Sequence, residues 1–379
     1  MLEIKEKSKC SGCHACMAAC PKNCISMRSD DEGFLYPVID AEKCVGCGAC
    51  EKACPIIEKC CPTLKTRAYA AFNKDNDIRL GSSSGGLFTL VAKEVISNGG
   101  VVFGASFDEN FNVCHICVDN VDDLSRLRGS KYLQSVIGDT YKQAKNMLLE
   151  GRWVYFTGTP CQIEGLLKYL GKDYDNLITS DIICHGVPSA TVWQTYLKSL
   201  DSTPVKNATF RDKSLGWQGY SVKIEFENGH VHKEMARDSV YMKAFLSDIC
   251  LRPSCYNCSF KSIKRASDLT LADFWGINKV FPEINDDKGI SLILVHTAKG
   301  AAVLESIKEQ IVIKEADVVS AIESNPSATK SVIKPKKRDK FMKKVNSENF
   351  EMLVRKYTKR TLIQKVKSKV KGFVKKILK

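Results

Sequence analysis

The chain has 379 residues, 44% of them hydrophobic and 26% charged. That is the make-up of a globular protein with two or three domains, and it excludes a disordered or fibrous chain. The net charge of +14 is confined to the end: Lys330 to Lys379 carry 19 Lys/Arg against 3 Asp/Glu, leaving 38 against 40 in residues 1–329. A near-neutral body argues against nucleic acid as a partner. Residues 1–7 show no apolar signal core, and no apolar run approaches the roughly 18 residues that span a bilayer. A cytoplasmic location with reduced thiols is the expectation, so clustered cysteines read as metal ligands rather than disulfides.

Eleven of the 18 cysteines lie in the first 61 residues. Cys10-x2-Cys13-x2-Cys16-x3-Cys20-Pro21 recurs as Cys44-x2-Cys47-x2-Cys50-x3-Cys54-Pro55. Three thiolates at this spacing wrap one face of a four-iron cube, and the fourth crosses to the other cluster in two-cluster ferredoxins. One 4Fe-4S cluster is therefore expected on Cys10, Cys13, Cys16 and Cys54, the other on Cys20, Cys44, Cys47 and Cys50. Zinc prefers two separated cysteine pairs, and two full copies of an eight-ligand pattern exclude it. Cys24, Cys60 and Cys61 fall outside the motif and read as small core residues.

Beyond residue 62 the pattern changes. Gly81-Ser-Ser-Ser-Gly-Gly86 is a turn followed by a helical stripe at Leu87, Leu90, Val91 and Val95, then the stop Asn98-Gly-Gly100 and a strand from Val101. Trp153–Phe156 reads as a strand, Thr159 as the cap of a helix with Pro160 in its first turn, and Asn176–Ile183 as a second buried strand. Ser189 caps a helix, Ser221–Lys233 forms a hairpin turning at Asn228-Gly229, and Ile290–His296 is another strand. The alternation predicts an α/β domain with a mixed, largely parallel sheet. It follows a bacterial-type ferredoxin fold, so the whole is α+β at its start and α/β after it. The expected divisions are 1–62, 66–150, 151–320 and a basic helical tail over 330–379.

A third cysteine group, Cys250-x4-Cys255-x2-Cys258, has the spacing of plant-type cluster sites and lacks one ligand. Cys161 and Cys184 both follow predicted strands, where open α/β sheets place ligands, and a thiol at a helix start is biased toward thiolate. Cys184 is the preferred fourth ligand, with Cys161 its neighbour near a cofactor.

In this order the motifs resemble the beta subunit of the coenzyme F-420 (deazaflavin) hydrogenase/dehydrogenase family, here with a fused ferredoxin. The resemblance is carried by Gly81–Gly86, Gly129-Ser-Lys-Tyr-Leu-Gln-Ser135, Gly158-Thr-Pro-Cys-Gln162, Asp181-Ile-Ile-Cys-His-Gly186, Arg252-Pro-Ser-Cys-Tyr-Asn-Cys258 and Ser267–Gly276. Ala272 stands where that pattern has a glycine. The resemblance implies an oxidoreductase with FAD and a third 4Fe-4S cluster beside it. It implies cofactor binding by Ser83, Ser84, Gly85, Gly86, Lys131, Gln134, Thr159, Cys161 and Gln162. The amides of Ser82–Gly86, ahead of a helix, suit a diphosphate, though a plain serine cap with a glycine turn fits as well. His185 reads either as a donor to a cluster sulfide or as a turn residue.

The expected function is electron passage between 4Fe-4S clusters, FAD and a small molecule, with a deazaflavin as one candidate. The alternative is an electron-transfer adaptor serving a partner enzyme. The partner is a redox protein or a small electron carrier. In the tail, Leu362, Ile363, Val366, Val370, Phe373 and Val374 recur at helical spacing among lysines, which suits a peripheral contact with an anionic membrane.

Overall fold

The structure is a computed structural model and describes residues 6–58 and 65–359. Cys60, Cys61 and the amphipathic stretch from 361 onward lie outside the described residues.

The N-terminal module holds α1 (Ala15–Ala19), β1 (Ile25–Ser29), β2 (Leu35–Ile39) and α2 (Ala49–Lys52), with β1 and β2 antiparallel. The body continues with β3 (Arg67–Asn73), α3 (Asn76–Leu80), α4 (Leu87–Ser97), β4 (Val101–Phe107), β5 (Val113–Val118), α5 (Leu124–Leu127) and α6 (Thr140–Leu149). Next come β6 (Val154–Thr157), α7 (Pro160–Leu170), β7 (Leu177–Ile182), α8 (Ala190–Leu200), β8 (Val205–Asp212), β9 (Ser221–Phe226), β10 (Val231–Met235) and α9 (Val240–Leu246). The chain closes with β11 (Leu269–Asp273), α10 (Ile277–Val280), β12 (Ser291–Val295), α11 (Ala298–Ser306), β13 (Ile311–Ala316), α12 (Val318–Ile322), α13 (Arg338–Met342) and α14 (Phe350–Thr358).

The main sheet runs β13-β3-β12-β11-β7-β6-β4-β5. Its centre, β11-β7-β6-β4, is parallel. Antiparallel pairs flank it on both sides. Because β12 is antiparallel to both β11 and β3, β3 runs in the sense of the central strands. The carboxyl ends of β3, β11, β7, β6 and β4 therefore share one edge, and every candidate site segment leaves from it. The strands β3 to β5, from before residue 150, interleave with those from after it, so both halves build one sheet. The hairpin at Asn228-Gly229 forms, and β8 extends it to three strands.

The helices follow local chemistry. In α7 the Thr159 amide and hydroxyl donate to the Gln162 side chain at 3.0 Å, closing a capping box with Pro160 in the first turn. The Ser189 hydroxyl accepts from the Thr191 amide to start α8. Part of the expected tail is folded into the body: Phe341, Met342, Phe350, Leu353 and Val354 are buried with Trp193 and Tyr241 in one core cluster.

That same cluster takes in the N-terminal module. Phe34 at the β1–β2 turn is buried in it. The Glu32 carboxylate receives the Arg338 guanidinium, one bond at 2.6 Å, and the Ser189 hydroxyl donates to the Glu32 carbonyl. On the other side, Cys13 packs against Ile163 and Leu166 of α7, where Gly165 leaves the room: a Cβ there would sit 3.1 Å from the Cys13 sulfur. The module is held to the body on two sides.

Candidate functional site

The two cysteine motifs cross as expected. Cys10, Cys13 and Cys16 of the first copy and Cys54 of the second line a cavity of about 350 Å³. Cys20 of the first copy and Cys44, Cys47 and Cys50 of the second line another, of about 380 Å³. Among the described residues no three His, Cys, Asp or Glu side chains are arranged to bind one metal ion. Four thiols around a cavity suit a cube better than a zinc ion. The first cavity is inner, with Cys13 and Cys16 buried, whereas Cys47 of the second is exposed. Burial pushes the Cys13 thiol up to about 12, so iron binding must displace its proton.

Cys24, read as a core residue, is buried and also lines the outer cavity, its sulfur 3.2 Å from that of Cys20. The motif spacing gives no signal for this contact; it arises because the Cys20–Cys24 turn folds back to start β1, where the Cys24 amide points at the Cys20 sulfur at 3.3 Å.

A third cavity, of about 740 Å³, opens at the carboxyl edge of the sheet. Cys161 in the first turn of α7, Cys184 after β7, and Cys255 and Cys258 beyond α9 all line it, with His185, Lys261 and Arg265. It shares Lys9, Ser11 and Ile56 with the inner cavity. Burial pushes the Cys255 thiol up to about 12 and raises that of Cys184.

The expected ligand set is corrected at one position. Cys250 does not reach this cavity; it is fully buried in the apolar core, and its carbonyl accepts from the Ser189 amide at 3.1 Å. The cause is the turn at Leu251-Arg252, which separates Cys250 from the 3₁₀ segment Pro253–Asn257 that carries Cys255. Cys161 takes its place, so both candidates for the fourth position stand at the cavity. His185 also lines it, with Nε2 2.6 Å from Asp248 Oδ1 and its ring edge-on to Phe245.

The turn at Gly81–Gly86 is held by neighbours. The Ser83 hydroxyl accepts from the Ser130 amide at 2.6 Å, and the Ser84 hydroxyl donates to the Ile290 carbonyl at 2.7 Å. A Cβ on Gly85 would lie 2.5 Å from the Ala71 carbonyl oxygen, and its amide already donates to Ser291. Gly85 thus serves close packing on β3 and β12. Gly86 caps α4 at φ +82°.

Basic side chains surround this turn. Arg211 donates to the Ser83 carbonyl and pairs with Asp273 at 2.8 and 3.1 Å. Lys213 donates to the carbonyls of Arg79, Ser84 and Lys288. Arg128 Nη1 would stand 3.2 Å from a Cβ on Gly81, and its buried Nε has no hydrogen-bond partner. Lys131 donates to the carbonyls of Arg128 and Gly129. Burial pushes Lys131 down to about 7; burial, then Arg211 and Arg79, do the same to Lys213. An orphaned guanidinium nitrogen and two lysines near neutrality fit an absent anion such as a diphosphate. Ser83, Ser84, Gly85, Gly86 and Lys131 meet here.

Gln134, Thr159 and Gln162 are engaged elsewhere. Gln162 closes the α7 capping box and donates to the Ser135 carbonyl, and Gln134 donates to the Ser11 carbonyl of the N-terminal module. Arg211 and Lys213 went unnoticed in sequence because single basic residues on a strand carry no motif.

Residues 9–56 match the family described as a 4Fe-4S dicluster domain. Dicluster module and α/β body together define an electron-transfer iron–sulfur protein. Residues 151–321 match the C terminus of the coenzyme F420 hydrogenase/dehydrogenase beta subunit, and through that domain the chain belongs to this oxidoreductase family. Among solved structures, a chain of the F420-reducing [NiFe] hydrogenase complex from Methanosarcina barkeri is similar at 15% identity. The match covers 78% of this chain and 91% of that one, with a TM-score of 0.44. No curated protein matches. No helix among the described residues is long and apolar enough to cross a membrane.

Proposed function

We propose that this chain carries electrons from the outer cysteine cavity through the inner one to a third 4Fe-4S site on Cys161, Cys184, Cys255 and Cys258, and on to FAD at the carboxyl edge of the sheet. The observation that carries the reading is the shared wall: Lys9, Ser11 and Ile56 line both the inner and the third cavity. A module clamped at Phe34 and at Cys13 keeps that separation fixed, which favours a built-in relay over a swinging carrier. The exposed Cys47 side faces outward and suits docking of a redox partner protein.

Bound clusters would supply one-electron steps, and bound flavin the junction to the two-electron chemistry of a small molecule such as a deazaflavin. The chain's own part is to hold and orient. The four thiolates at each cavity supply ligation. The Ser83–Gly86 turn, with Arg128, Lys131 and Arg211, would hold the diphosphate. The size of the third cavity, about twice that of the others, leaves room beside a cluster.

The test is anaerobic reduction by a protein donor. FAD should co-purify with the wild type and bleach when reduced ferredoxin is added. The double variant Cys161→Ser/Cys184→Ser should keep its FAD, yet bleach far more slowly. Equal bleaching in both would remove the third site from the path. Protein that binds no FAD at all would leave the adaptor reading, an electron-transfer subunit serving a partner enzyme.

A further inference from the structure

Five arginines in the body are buried: Arg79, Arg211, Arg252, Arg265 and Arg338. Burying an unpaired cation is costly, so each is expected to have a carboxylate partner. Four do: Arg79 with Asp286, Arg211 with Asp273, Arg265 with Asp181 and Arg338 with Glu32. Arg252 does not. It is fully buried at the seam between the N-terminal module and the body. Among the described residues its partners are neutral oxygens and one sulfur: the Cys10 carbonyl at 2.8 Å, the Leu35 carbonyl at 2.8 Å, Gln134 Oε1 at 3.0 Å and Cys10 Sγ at 3.7 Å. The guanidinium also lies over the Tyr36 ring, 4.3 Å from its centre.

The seam is built tightly around it. A Cβ on Gly12 would lie 2.7 Å from Arg252 Nη1, and Gln134, fixed by Ser11, holds the other side. Three residues on, Cys255 enters the third cavity. The buried cation thus stands between a cysteine of the inner set and a cysteine of the third.

A cube held by four thiolates is a net anion, more so when reduced, and neighbouring charge and hydrogen bonds to sulfur set its potential. We infer that Arg252 is the counter-charge of the inner cluster and raises its reduction potential by favouring the reduced, more anionic form. Its contact with the inner cysteines rests on the relay reading only through the identity of that cluster, not on the third site. Arg252 is a positioning residue, and Gln134 orients it.

The experiment is an anaerobic potentiometric titration of the full-length holoprotein, followed by electron paramagnetic resonance. A Cys47→Ser variant identifies the outer signal. Arg252→Gln should lower the reduced-to-oxidised ratio of the inner cluster at fixed potential by about tenfold, which is 59 mV for a one-electron couple. The outer cluster should stay put, and Arg252→Lys should keep most of the wild-type value. Unchanged inner potential in Arg252→Gln, or an equal shift in Arg252→Lys, would overturn the inference. Should Arg252→Gln lose its iron, Gln134→Glu decides: a carboxylate beside the guanidinium must lower the inner potential, and no change refutes the role. An iron count near eight would remove the third site while leaving this shift standing.

Discussion

Gly12 and Gly46 hold the same place in the two cysteine motifs, both at φ +67°, yet a Cβ on Gly12 would strike Arg252 while one on Gly46 would meet nothing within 4 Å. One motif, written twice, yields one cavity sealed against the body and one open to solvent. Ligation is encoded locally by the cysteine spacing. Position in the relay is encoded elsewhere, by the β1–β2 turn, by Gly165 on α7 and by the Leu251-Arg252 turn.

The largest break in this contrast should come from Phe34→Ala. Emptying a fully buried aromatic site costs about 3–5 kcal/mol. The module should loosen, and the inner iron, slow to leave in the wild type, should become as open to a chelator as the outer iron. Iron release that remains biphasic would mean the hairpin is not the anchor.

Alanine at the two glycines sharpens the comparison. Gly46→Ala should cost about 1 kcal/mol, the strain of a left-handed backbone with a side chain. Gly12→Ala adds overlap with a guanidinium held by several bonds and should cost about 2–3 kcal/mol. Anaerobic denaturant titration reads both, and equal losses would contradict the sealed seam.

A smaller effect concerns pH. Lys131 and Lys213 are pushed to about 7 in the ligand-free chain. A bound diphosphate would favour their charged forms and raise both values, so protons are taken up on binding. FAD affinity should be greatest below pH 7 and fall above it, by up to about tenfold per pH unit for each lysine. Fluorescence titration from pH 6 to 9 checks this. Lys131→Met should flatten the profile, and a flat wild-type profile would separate the lysines from the flavin.

How much of this was legible in sequence follows from what each feature depends on. The crossed cysteine sets, the α7 capping box and the Asn228-Gly229 hairpin are local patterns, and each forms where its residues say. Cys250 misled because ligand spacing is blind to a chain reversal: it shares the C-x4-C-x2-C rhythm but lies before the turn. The residues from 330 to 359 read as tail because their charge is high, yet Phe341, Phe350 and Leu353 reach a core whose other half, Trp193 and Tyr241, lies about a hundred residues away or more. Arg252 sat inside a recognised motif, but its lack of a carboxylate is visible only in three dimensions.

The account stands on three cysteine cavities in line, and iron content tests it most directly. Anaerobically prepared protein should hold about twelve iron atoms per chain, and Cys255→Ser/Cys258→Ser about eight, with the ferredoxin signals intact. About eight in both proteins would contradict the third site and end the relay at the inner cavity.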